Sequence, residues 1–598
     1  MKSPTGRLEL TWMGKPLALV PYEAGTYDYG WVDPSDPRAC EVKTLEITET
    51  IGDKNGVTGA AENLLVVGDS GDALRSLVSI PEWSERYLGK VKLVYIDPPF
   101  NTAQTFESFA DALEHSVWLS FMRDRLCAIK ELLAPDGSIW VHLDDAEVHR
   151  MRMLLDEELG ADKFVATIVW QKKYSRDNRP AIGTVHDYIM VYAMQGASAW
   201  KKDRNRIPRV NATAYRNPNS DPDGPWRPIP LDVQGGHATR SQFYDVVTPA
   251  GNTVRPANGR AWSVTKPVMD AMRERGEIYY GLKGDGMPNT IRHLKDDEGL
   301  VPWTWWPHEE VGNNDDAKKE IITLFGDTNV FDTPKPERLM ERIIHIGSNP
   351  GDLVLDAFAG SGTTAAVAHK LGRRWVTVEL QESNVEKFTK PRLRGVVEGT
   401  DCTGISVREG QVFNNDVLNG ELKPDEAKAM LRALTKVLRK TELSTVDTET
   451  GNALLKELQQ KVALIPADNP VRSGGGFTVA RMGSSMFEVD DEDGTVYLSE
   501  QATNGNFSTA VAGQLKYRLT PDHPTFCGIR GRSRLAVVDG VVDEVVVRTV
   551  VAALADNERA VIVGKAVLPS AERLLQDLST GSRIRKAPHD LFNRRTVR

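Results

Sequence analysis

The chain has 598 residues, of which 40% are hydrophobic and 26% charged, a balance typical of a globular protein. Charged residues interrupt every apolar run, so we expect neither a membrane span nor a signal peptide. The four cysteines are widely spaced, which excludes a zinc site of the usual spacing and favours the reducing cytoplasm as location. The length predicts three or four domains.

The charge is unevenly distributed along the chain. The formal net charge of −9 argues against a nucleic-acid partner. Residues 201–295, however, hold 16 Lys and Arg against 9 Asp and Glu, a local excess of +7. This segment could bind DNA, although an uneven solvated surface explains the charge equally well.

The first unit that carries chemistry begins near residue 63. Asn63–Asp69 reads as a buried strand, and Val91–Ile96 as a second strand that stops at the sequence Asp97-Pro98-Pro99-Phe100. Two consecutive prolines cannot continue a central strand. Asp97 is therefore predicted at the carboxyl end of a strand, where open α/β sheets bind their ligands.

Further helices and strands follow this motif. A helix with an apolar face from Trp118 to Leu133 is predicted to end at Pro135–Gly137. Beyond it we predict a strand over 138–142, a helix over 146–159, and strands over 164–170 and 187–193.

A second unit lies far downstream. A helix over 337–346 precedes a strand over 352–356, a glycine turn Gly360-Ser-Gly362, a helix over 363–371 and a strand ending in Glu379. This order is typical of a nucleotide site. The third glycine of a dinucleotide motif is absent, which favours a ligand without a pyrophosphate. Taken alone, such a glycine turn can also be required by the backbone geometry of a tight turn without any ligand.

The motifs together resemble a known family. Asp97-Pro-Pro-Phe100 and the segment Asp356–Thr364 resemble the catalytic and cofactor motifs of amino-directed DNA methyltransferases in the β order. Asn63–Asp69, His186–Tyr192 and Phe331–Arg338 resemble stretches of the Mod subunits of type III restriction–modification systems, as do Gly224–Trp226 and Trp303–Trp306. The resemblance covers about residues 60–400. It implies an α/β fold with a Rossmann-like sheet and S-adenosylmethionine as cofactor.

The resemblance also implies residue roles. Asp97, Pro98, Pro99 and Phe100 would be catalytic. The cofactor would be bound by Asp69, Lys335, Asp356, Phe358, Gly360, Gly362 and Glu379. Glu379 would hold the ribose, Asp69 would approach the adenine, and Lys335 would close the pocket. A solvated lysine at a helix start and an acid in a strand-end turn are the alternatives for Lys335 and Asp69. No metal site is expected.

The remaining segments suggest the domain plan. We predict an N-terminal arm (1–55), a catalytic half (56–199), a target-recognition insertion (200–330) and a cofactor-binding half (331–409). A helical linker (410–472) and a small α/β interaction or assembly module (473–598) follow. Arg204, Arg206 and Arg209 are candidate DNA contacts, whereas the tryptophans Trp303, Trp305 and Trp306 suit a small structural core.

These observations predict a site-specific DNA adenine-N6 methyltransferase that flips its target base out of the duplex. Its expected partners are double-stranded DNA, a second copy of the chain and a restriction or translocase subunit. In the family that the motifs resemble, an aspartate at the first motif position is typical of adenine enzymes, and cytosine N4 is the alternative target. A methyltransferase that acts on a protein glutamine or on another nucleic acid is a further alternative, as is a non-catalytic specificity subunit. The recognition sequence cannot be read from the chain.

Overall fold

The computed structural model describes residues 9–21, 29–56, 59–102, 104–105, 110–111, 113–176, 180–208, 215–217, 221–294, 299–328, 330–406, 412–413, 464–465, 473–490 and 495–592. The chain forms two units. The first comprises Met1–Asn205 and Trp303–Arg598, and the second comprises Arg206–Pro302. No helix in these ranges is long and apolar enough to cross a membrane.

The first unit is built on a ten-stranded sheet. Its order is β7-β5-β6-β4-β3-β8-β9-β2-β10-β1. In chain order the strands are β1 Leu45–Gly52, β2 Leu64–Val67, β3 Val91–Ile96, β4 Leu133–Leu143, β5 Phe164–Gln171, β6 His186–Ala193, β7 Trp305–Trp306, β8 Leu353–Asp356, β9 Arg374–Glu379 and β10 Gly476–Met482.

Six neighbouring strands, from β4 through β3, β8, β9 and β2 to β10, run parallel. All residues of β2 and of β8 are buried, as expected for strands covered on both faces. Helices make the connections, such as Ser70–Ser79 between β2 and β3 and Thr363–Lys370 between β8 and β9. This arrangement confirms the predicted α/β class.

The middle of the sheet is a topological switch point. Strands β3 and β8 are neighbours, but the chain leaves β3 for β4 on one side and leaves β8 for β9 on the other. The two connections therefore diverge at the carboxyl ends of β3 and β8. A crevice at such a point is where open α/β sheets hold ligands.

The helices of the first unit match most of the predicted ones. One difference concerns Pro135–Gly137, which lies within β4 instead of ending a helix, because Leu133 already pairs with Val91. The helices are Pro37–Cys40, Ser70–Ser79, Pro81–Tyr87, His115–Leu132, Val148–Leu155, Ala197–Asp203, His308–Val311, Asn314–Phe325, Glu337–Gly347, Thr363–Lys370, Glu382–Asn384, Lys390–Glu398, Asn504–Gln514, Glu544–Ala552 and Pro569–Leu578.

Two predicted domain boundaries do not agree with the extent of the main sheet. The predicted arm 1–55 and the predicted C-terminal module 473–598 each contribute a strand, β1 and β10, to the main sheet. Strand β10 pairs with β2, and its Phe477 is buried with its ring 5.6 Å from that of Trp375. Gly474 and Gly475 directly precede this core strand and Gly476 is its first residue, so the glycines do not mark a domain boundary.

The second unit corresponds to the middle of the predicted insertion. It spans Arg206–Pro302, whereas residues 303–330 belong to the first unit. Its three-stranded sheet has Asn289–His293 between Trp226–Pro230 and Ile278–Tyr279, and its helix Lys266–Glu274 carries the buried Met269. Of the three tryptophans predicted to form a core, Trp306 is fully buried, while Trp303 and Trp305 are exposed.

Beyond β10 the chain forms a small α/β domain. Its five-stranded sheet has the order β11-β12-β13-β14-β15, with the strands β11 Arg518–Leu519, β12 Gly528–Arg530, β13 Ser533–Val542, β14 Arg559–Val567 and β15 Arg583–Lys586. Strands β13, β14 and β15 are parallel. Most of the predicted helical linker 410–472 lies outside the described residues. Within it, Val412–Phe413 and Leu464–Ile465 are short strands.

Candidate active site

A cavity of about 350 Å³ lies at the carboxyl ends of β2, β3, β8 and β9. Its volume is in the range of small-molecule sites. The residues from the two predicted motifs line it together, although more than 250 residues separate them in the chain. Of the predicted catalytic and cofactor residues, it is lined by Asp69, Asp97, Pro98, Pro99, Phe100, Lys335, Asp356, Phe358, Gly360 and Glu379.

Asp97 follows β3 directly and presents its two carboxylate oxygens differently. Oδ2 accepts a hydrogen bond from Nζ of Lys335. Oδ1 is buried and has no hydrogen-bond partner among the residues that the structure describes. A buried acceptor without a donor costs free energy, so this atom is a ready acceptor for a donor entering the cavity.

The two prolines and Phe100 are held by their surroundings. The carbonyl of Pro99 accepts a hydrogen bond of 2.8 Å from the indole nitrogen of Trp118. The ring of Phe100 lies 5.8 Å from the imidazole of His142. Nζ of Lys335 lies 5.4 Å from the centre of the Phe100 ring, within cation–π range. Phe100 therefore has a fixed ring at the cavity wall.

A chain of buried polar groups supports this wall. The hydroxyl of Tyr95 lies 2.8 Å from Nδ1 of His142, and Nε2 of His142 lies 3.4 Å from Oδ2 of Asp187. Asp187 is also paired with Lys172 at 2.5 Å. Burial opposes the charge on Asp187, but His142 and Lys172 hold the pKa of this carboxyl below its ordinary value.

The glycine turn after β8 requires backbone that other residues avoid. Gly360 and Gly362 have φ angles of +53° and +78°. A Cβ atom on Gly362 would lie 3.0 Å from Cγ2 of Thr389, and one on Gly360 would lie 3.2 Å from the ring of Phe331. Gly362 therefore serves packing of the turn, whereas Gly360 lines the cavity. Gly362 is the one predicted cofactor residue that does not line it.

Glu379 at the end of β9 holds the turn. Its Oε2 accepts from the backbone N–H of Gly360 at 2.8 Å, and its Oε1 accepts from Gln381 and from the side chain of Asn384. Burial raises the pKa of Glu379 above its ordinary value. The carboxylate thus positions the loop as well as facing the cavity.

Asp356 is a buried acid of the site. Burial raises its pKa to about 7, and the charges of Asp97 and Glu379 add to the rise. Hydrogen bonds from Thr364 and from the backbone of Phe358 oppose it. At neutral pH this carboxyl therefore exchanges between its charged and neutral forms.

Asp69 and Lys335 have strong contacts within the protein. Asp69 caps the helix Ser70–Ser79 through hydrogen bonds to Gly71 and Asp72, and it pairs with Arg125 at 2.6 Å. These contacts are those of a turn residue, the alternative stated above. Lys335 lies against Asp97, so its position suits the predicted catalytic carboxylate as much as the cofactor.

A buried ion network fixes the helices behind the glycine turn. Glu337, which is fully buried, pairs with Lys370 at 2.8 Å and with Arg392 at 2.9 Å. Arg392 also donates to Thr363 at 2.7 Å, the first residue of the helix after the turn. Breaking one partner of such a network leaves a buried charge without compensation.

Sequence reasoning missed several residues of the cavity wall. The apolar wall at Phe331, and Asn384 beside Glu379, belong to segments that carry no catalytic pattern. Phe331 begins the segment Phe331–Arg338, which resembles a stretch of Mod subunits, so this resemblance could have indicated it. Further lining residues are Tyr95, Phe121, Lys172, Asp187, Asn314 and Thr333.

Two of the three predicted DNA contacts lie among the described residues, one in each unit. Arg204 follows the helix Ala197–Asp203 in the first unit, and Arg206 begins the second unit. Both contact other residues of the protein. Arg209 lies outside the described residues.

Comparison with known proteins agrees with the motifs. The model of the DNA methylase family N6_N4_Mtase matches residues 91–390, half of the chain. The chain belongs to this family. The matched segment contains the Asp97 motif, the glycine turn and Glu379.

Two relatives among the curated proteins give the detail. The Mod subunit of the type III restriction–modification enzyme StyLTI from Salmonella typhimurium is 31% identical over 335 residues, 51% of this chain and 49% of that protein. The type II methyltransferase M.EcaI from Enterobacter cloacae is 29% identical, over 48% of this chain and 62% of that protein. The chain thus spans about half to three fifths of the length of these two relatives.

Two solved structures are similar to parts of the chain, each with a low TM-score. A DNA modification methylase from Thermus thermophilus, complexed with S-adenosyl-L-methionine, is 17% identical with a TM-score of 0.29, covering 56% of this chain and 95% of its own. The cytosine-N4-specific PvuII DNA methyltransferase is 15% identical with a TM-score of 0.31, covering 57% and 89%.

Proposed function

We propose that this protein is a site-specific DNA methyltransferase that moves a methyl group from S-adenosylmethionine to N6 of an adenine flipped out of duplex DNA. The observation that carries the proposal is the buried Oδ1 atom of Asp97, an acceptor without a partner in the described residues, in the same cavity as the glycine turn. Family membership supports it.

The residues of the cavity fit the cofactor. S-adenosylmethionine supplies a sulfonium methyl group that an amine can attack. Carboxylates of Asp97, Asp356 and Glu379 surround the cavity, which favours a cationic ligand. The rings of Phe331 and Phe358 provide apolar surface, and the backbone of Gly360 allows close approach.

The catalytic residues act by orientation and by accepting hydrogen bonds. An exocyclic amine is a poor nucleophile because its lone pair is delocalised into the ring. Asp97, through Oδ1, and the carbonyl of Pro98 would accept hydrogen bonds from the two amine N–H groups, so that the nitrogen lone pair points at the methyl group. Phe100 would stack on the base. Lys335 holds the other oxygen of Asp97 and so fixes the carboxylate plane.

Target recognition is proposed for the second unit. The excess of basic residues noted above lies over residues 201–295, which overlap most of this unit. Arg204, at the end of the first unit's N-terminal segment, and Arg206 and Arg209, within the residue range of the second unit, are the first candidates for phosphate or base contacts. Charge reversal at all three should weaken duplex binding without changing cofactor affinity.

A role in restriction–modification is supported by the relatives, of which the StyLTI protein is named a type III Mod subunit. We propose that the chain pairs with a restriction or translocase subunit, forms a homodimer and works in the cytoplasm. Co-expression with the candidate partner gene and light scattering of the purified chain test these two assemblies.

The activity has a direct test. The purified chain is incubated with duplex DNA and S-adenosylmethionine carrying a labelled methyl group, and the digested DNA is analysed by mass spectrometry. N6-methyladenine is the expected product. N4-methylcytosine alone would move the target to cytosine, and cofactor binding without any DNA methylation would favour a non-catalytic specificity subunit.

A further inference from the structure

A second cavity, of about 170 Å³, lies in the C-terminal α/β domain. It sits at the amino ends of the parallel strands β13, β14 and β15, where Ser533, Arg559 and Arg583 are the first residues. Ser533 pairs with Arg559, and Val561 pairs with Arg583. The register therefore places the starts of all three strands at one edge of the sheet.

The cavity is lined by basic residues. Four arginines and one lysine face it, and the lining includes no Asp or Glu: Lys516, Arg530, Arg559, Arg583 and Arg585. In the described part of the chain none of these five forms an ion pair with a carboxylate. Because the whole chain is acidic, with a net charge of −9, this cluster is not a consequence of average composition. Like charges in one cavity repel each other unless an anion enters.

The arginines of the cavity differ in their hydrogen bonds to the rest of the protein. Arg530 donates to the carbonyl of Leu515 at 2.8 Å, and Arg585 donates to the carbonyl of Asp590 at 2.9 Å. Across the described ranges, the guanidinium groups of Arg559 and Arg583 have no hydrogen-bond partner. They keep all their donors for a ligand.

The walls between these cations are also ordered. The hydroxyl of Tyr517 lies 2.6 Å from that of Ser533, and the guanidinium of Arg530 lies 4.7 Å from the centre of the Tyr517 ring. Lys516 adopts a left-handed backbone with φ of +59° just after the helix Asn504–Gln514, where the backbone N–H of Tyr517 donates to the carbonyl of Ala512. Buried Tyr517 and Ser533 thus give the cavity a packed wall, whereas Lys516, Arg530, Arg559 and Arg583 are exposed to solvent.

We propose that this cavity binds a backbone phosphate of DNA, so that the C-terminal domain adds a DNA contact to those of the methyltransferase. The cavity is smaller than the usual small-molecule site, which suits a single phosphate group better than a nucleotide. Arginine forks match phosphate oxygens in bidentate geometry. The inference rests on the proposed function only in taking DNA as the substrate.

The test compares two double variants of the full chain. Arg559→Glu with Arg583→Glu reverses the two available cations, and Arg548→Glu with Arg573→Glu makes the same charge change on exposed helix positions of the same domain. Fluorescence anisotropy measures duplex DNA affinity between about 50 and 200 mM salt. The cavity variant should lose affinity roughly tenfold at low salt, and its slope of log affinity against log salt should fall by about one. Cofactor affinity and melting temperature should match those of the control.

Equal affinities and slopes for the two double variants would overturn the inference. Calorimetry with inorganic phosphate separates a second source of the anion. If phosphate binding is lost in the cavity variant while its DNA affinity equals that of the control, the cavity serves a free phosphorylated solute and the DNA contact is wrong. Failure of the unmodified chain to bind or methylate duplex DNA would instead overturn the proposed function.

Discussion

Lys335 donates a hydrogen bond to Oδ2 of Asp97, while Oδ1 of the same carboxylate is buried without a partner among the described residues. One oxygen is thus used to orient the group and the other faces the cavity. The two residues are 238 positions apart in the chain, and the switch point of the sheet brings them together.

The first prediction concerns Asp97. Asp97→Asn keeps the shape of the side chain but replaces one acceptor oxygen with a donor, so the rate of methyl transfer should fall by about a hundred- to a thousandfold. Cofactor affinity should change little, because the bonds to the amine tighten mainly in the transition state. Single-turnover kinetics with labelled cofactor measure the rate, and the exposed Asp136→Asn is the control. A loss of cofactor binding equal to the loss of rate would contradict the catalytic role.

The second prediction separates two roles of Lys335. If it orients Asp97, Lys335→Met should lower the transfer rate at least about tenfold, since a charge-assisted hydrogen bond contributes about 1.5–3 kcal/mol. The cofactor Kd should change by less than the transfer rate does. Lys319→Met, at a side chain that is 76% exposed, is the matched control. A weaker cofactor affinity with a normal transfer rate at saturating cofactor would instead indicate that Lys335 binds the cofactor, as the sequence motif predicts.

The third prediction concerns Glu379. In Glu379→Gln the amide nitrogen would face one of three N–H donors, from Gly360, Gln381 or Asn384, and the glycine turn should loosen. We expect cofactor affinity to fall roughly ten- to a hundredfold. Calorimetry gives the affinity, with the exposed Glu382→Gln three residues away as control. Unchanged affinity in Glu379→Gln would contradict its place in the cofactor site.

The fourth prediction is a pH dependence of stability. The pKa of Asp356 rises from its ordinary value of 3.8 to about 7, so the folded protein holds this proton more tightly than the unfolded chain. Its contribution to the free energy of unfolding is full below about pH 4 and is lost as pH rises through about 7. Asp356→Asn lacks this titration.

The measurement compares urea unfolding of the two proteins at pH 5, 6 and 8. The unmodified protein should lose stability relative to Asp356→Asn over this range, by up to about 3 kcal/mol. A constant difference between the two proteins would show that Asp356 does not titrate there.

The local motifs were largely predictable from sequence. Two prolines end β3 at Asp97, and a left-handed glycine turn ends β8, so the sequence alone places both at strand ends. A switch point then brings them to one crevice by a general rule of parallel sheets. The residues that complete the wall, such as Phe331 and Asn384, come from segments without a catalytic pattern and depend on tertiary packing.

The edges of the domains were not predictable in the same way. Strand β10 follows two glycines, Gly474 and Gly475, and a long segment predicted to be helical, and its sequence, Gly476–Met482, shows only that it is a strand. Its pairing with β2 is decided by which edge of the sheet remains open. The position of the open edge depends on how all the other strands pair, so it cannot be read from the sequence of β10 alone.

Strand β10 also sets an order on the synthesis of the chain. Strand β2 is complete at Val67, but its neighbour β10 ends at Met482, more than 400 residues later. Until the ribosome has released β10, β2 is an unpaired edge of a sheet that already contains the active-site strands. An open edge can pair with another chain. The nascent methylase therefore passes through a stage in which a molecular chaperone, or a partner bound during translation, has an exposed strand to protect.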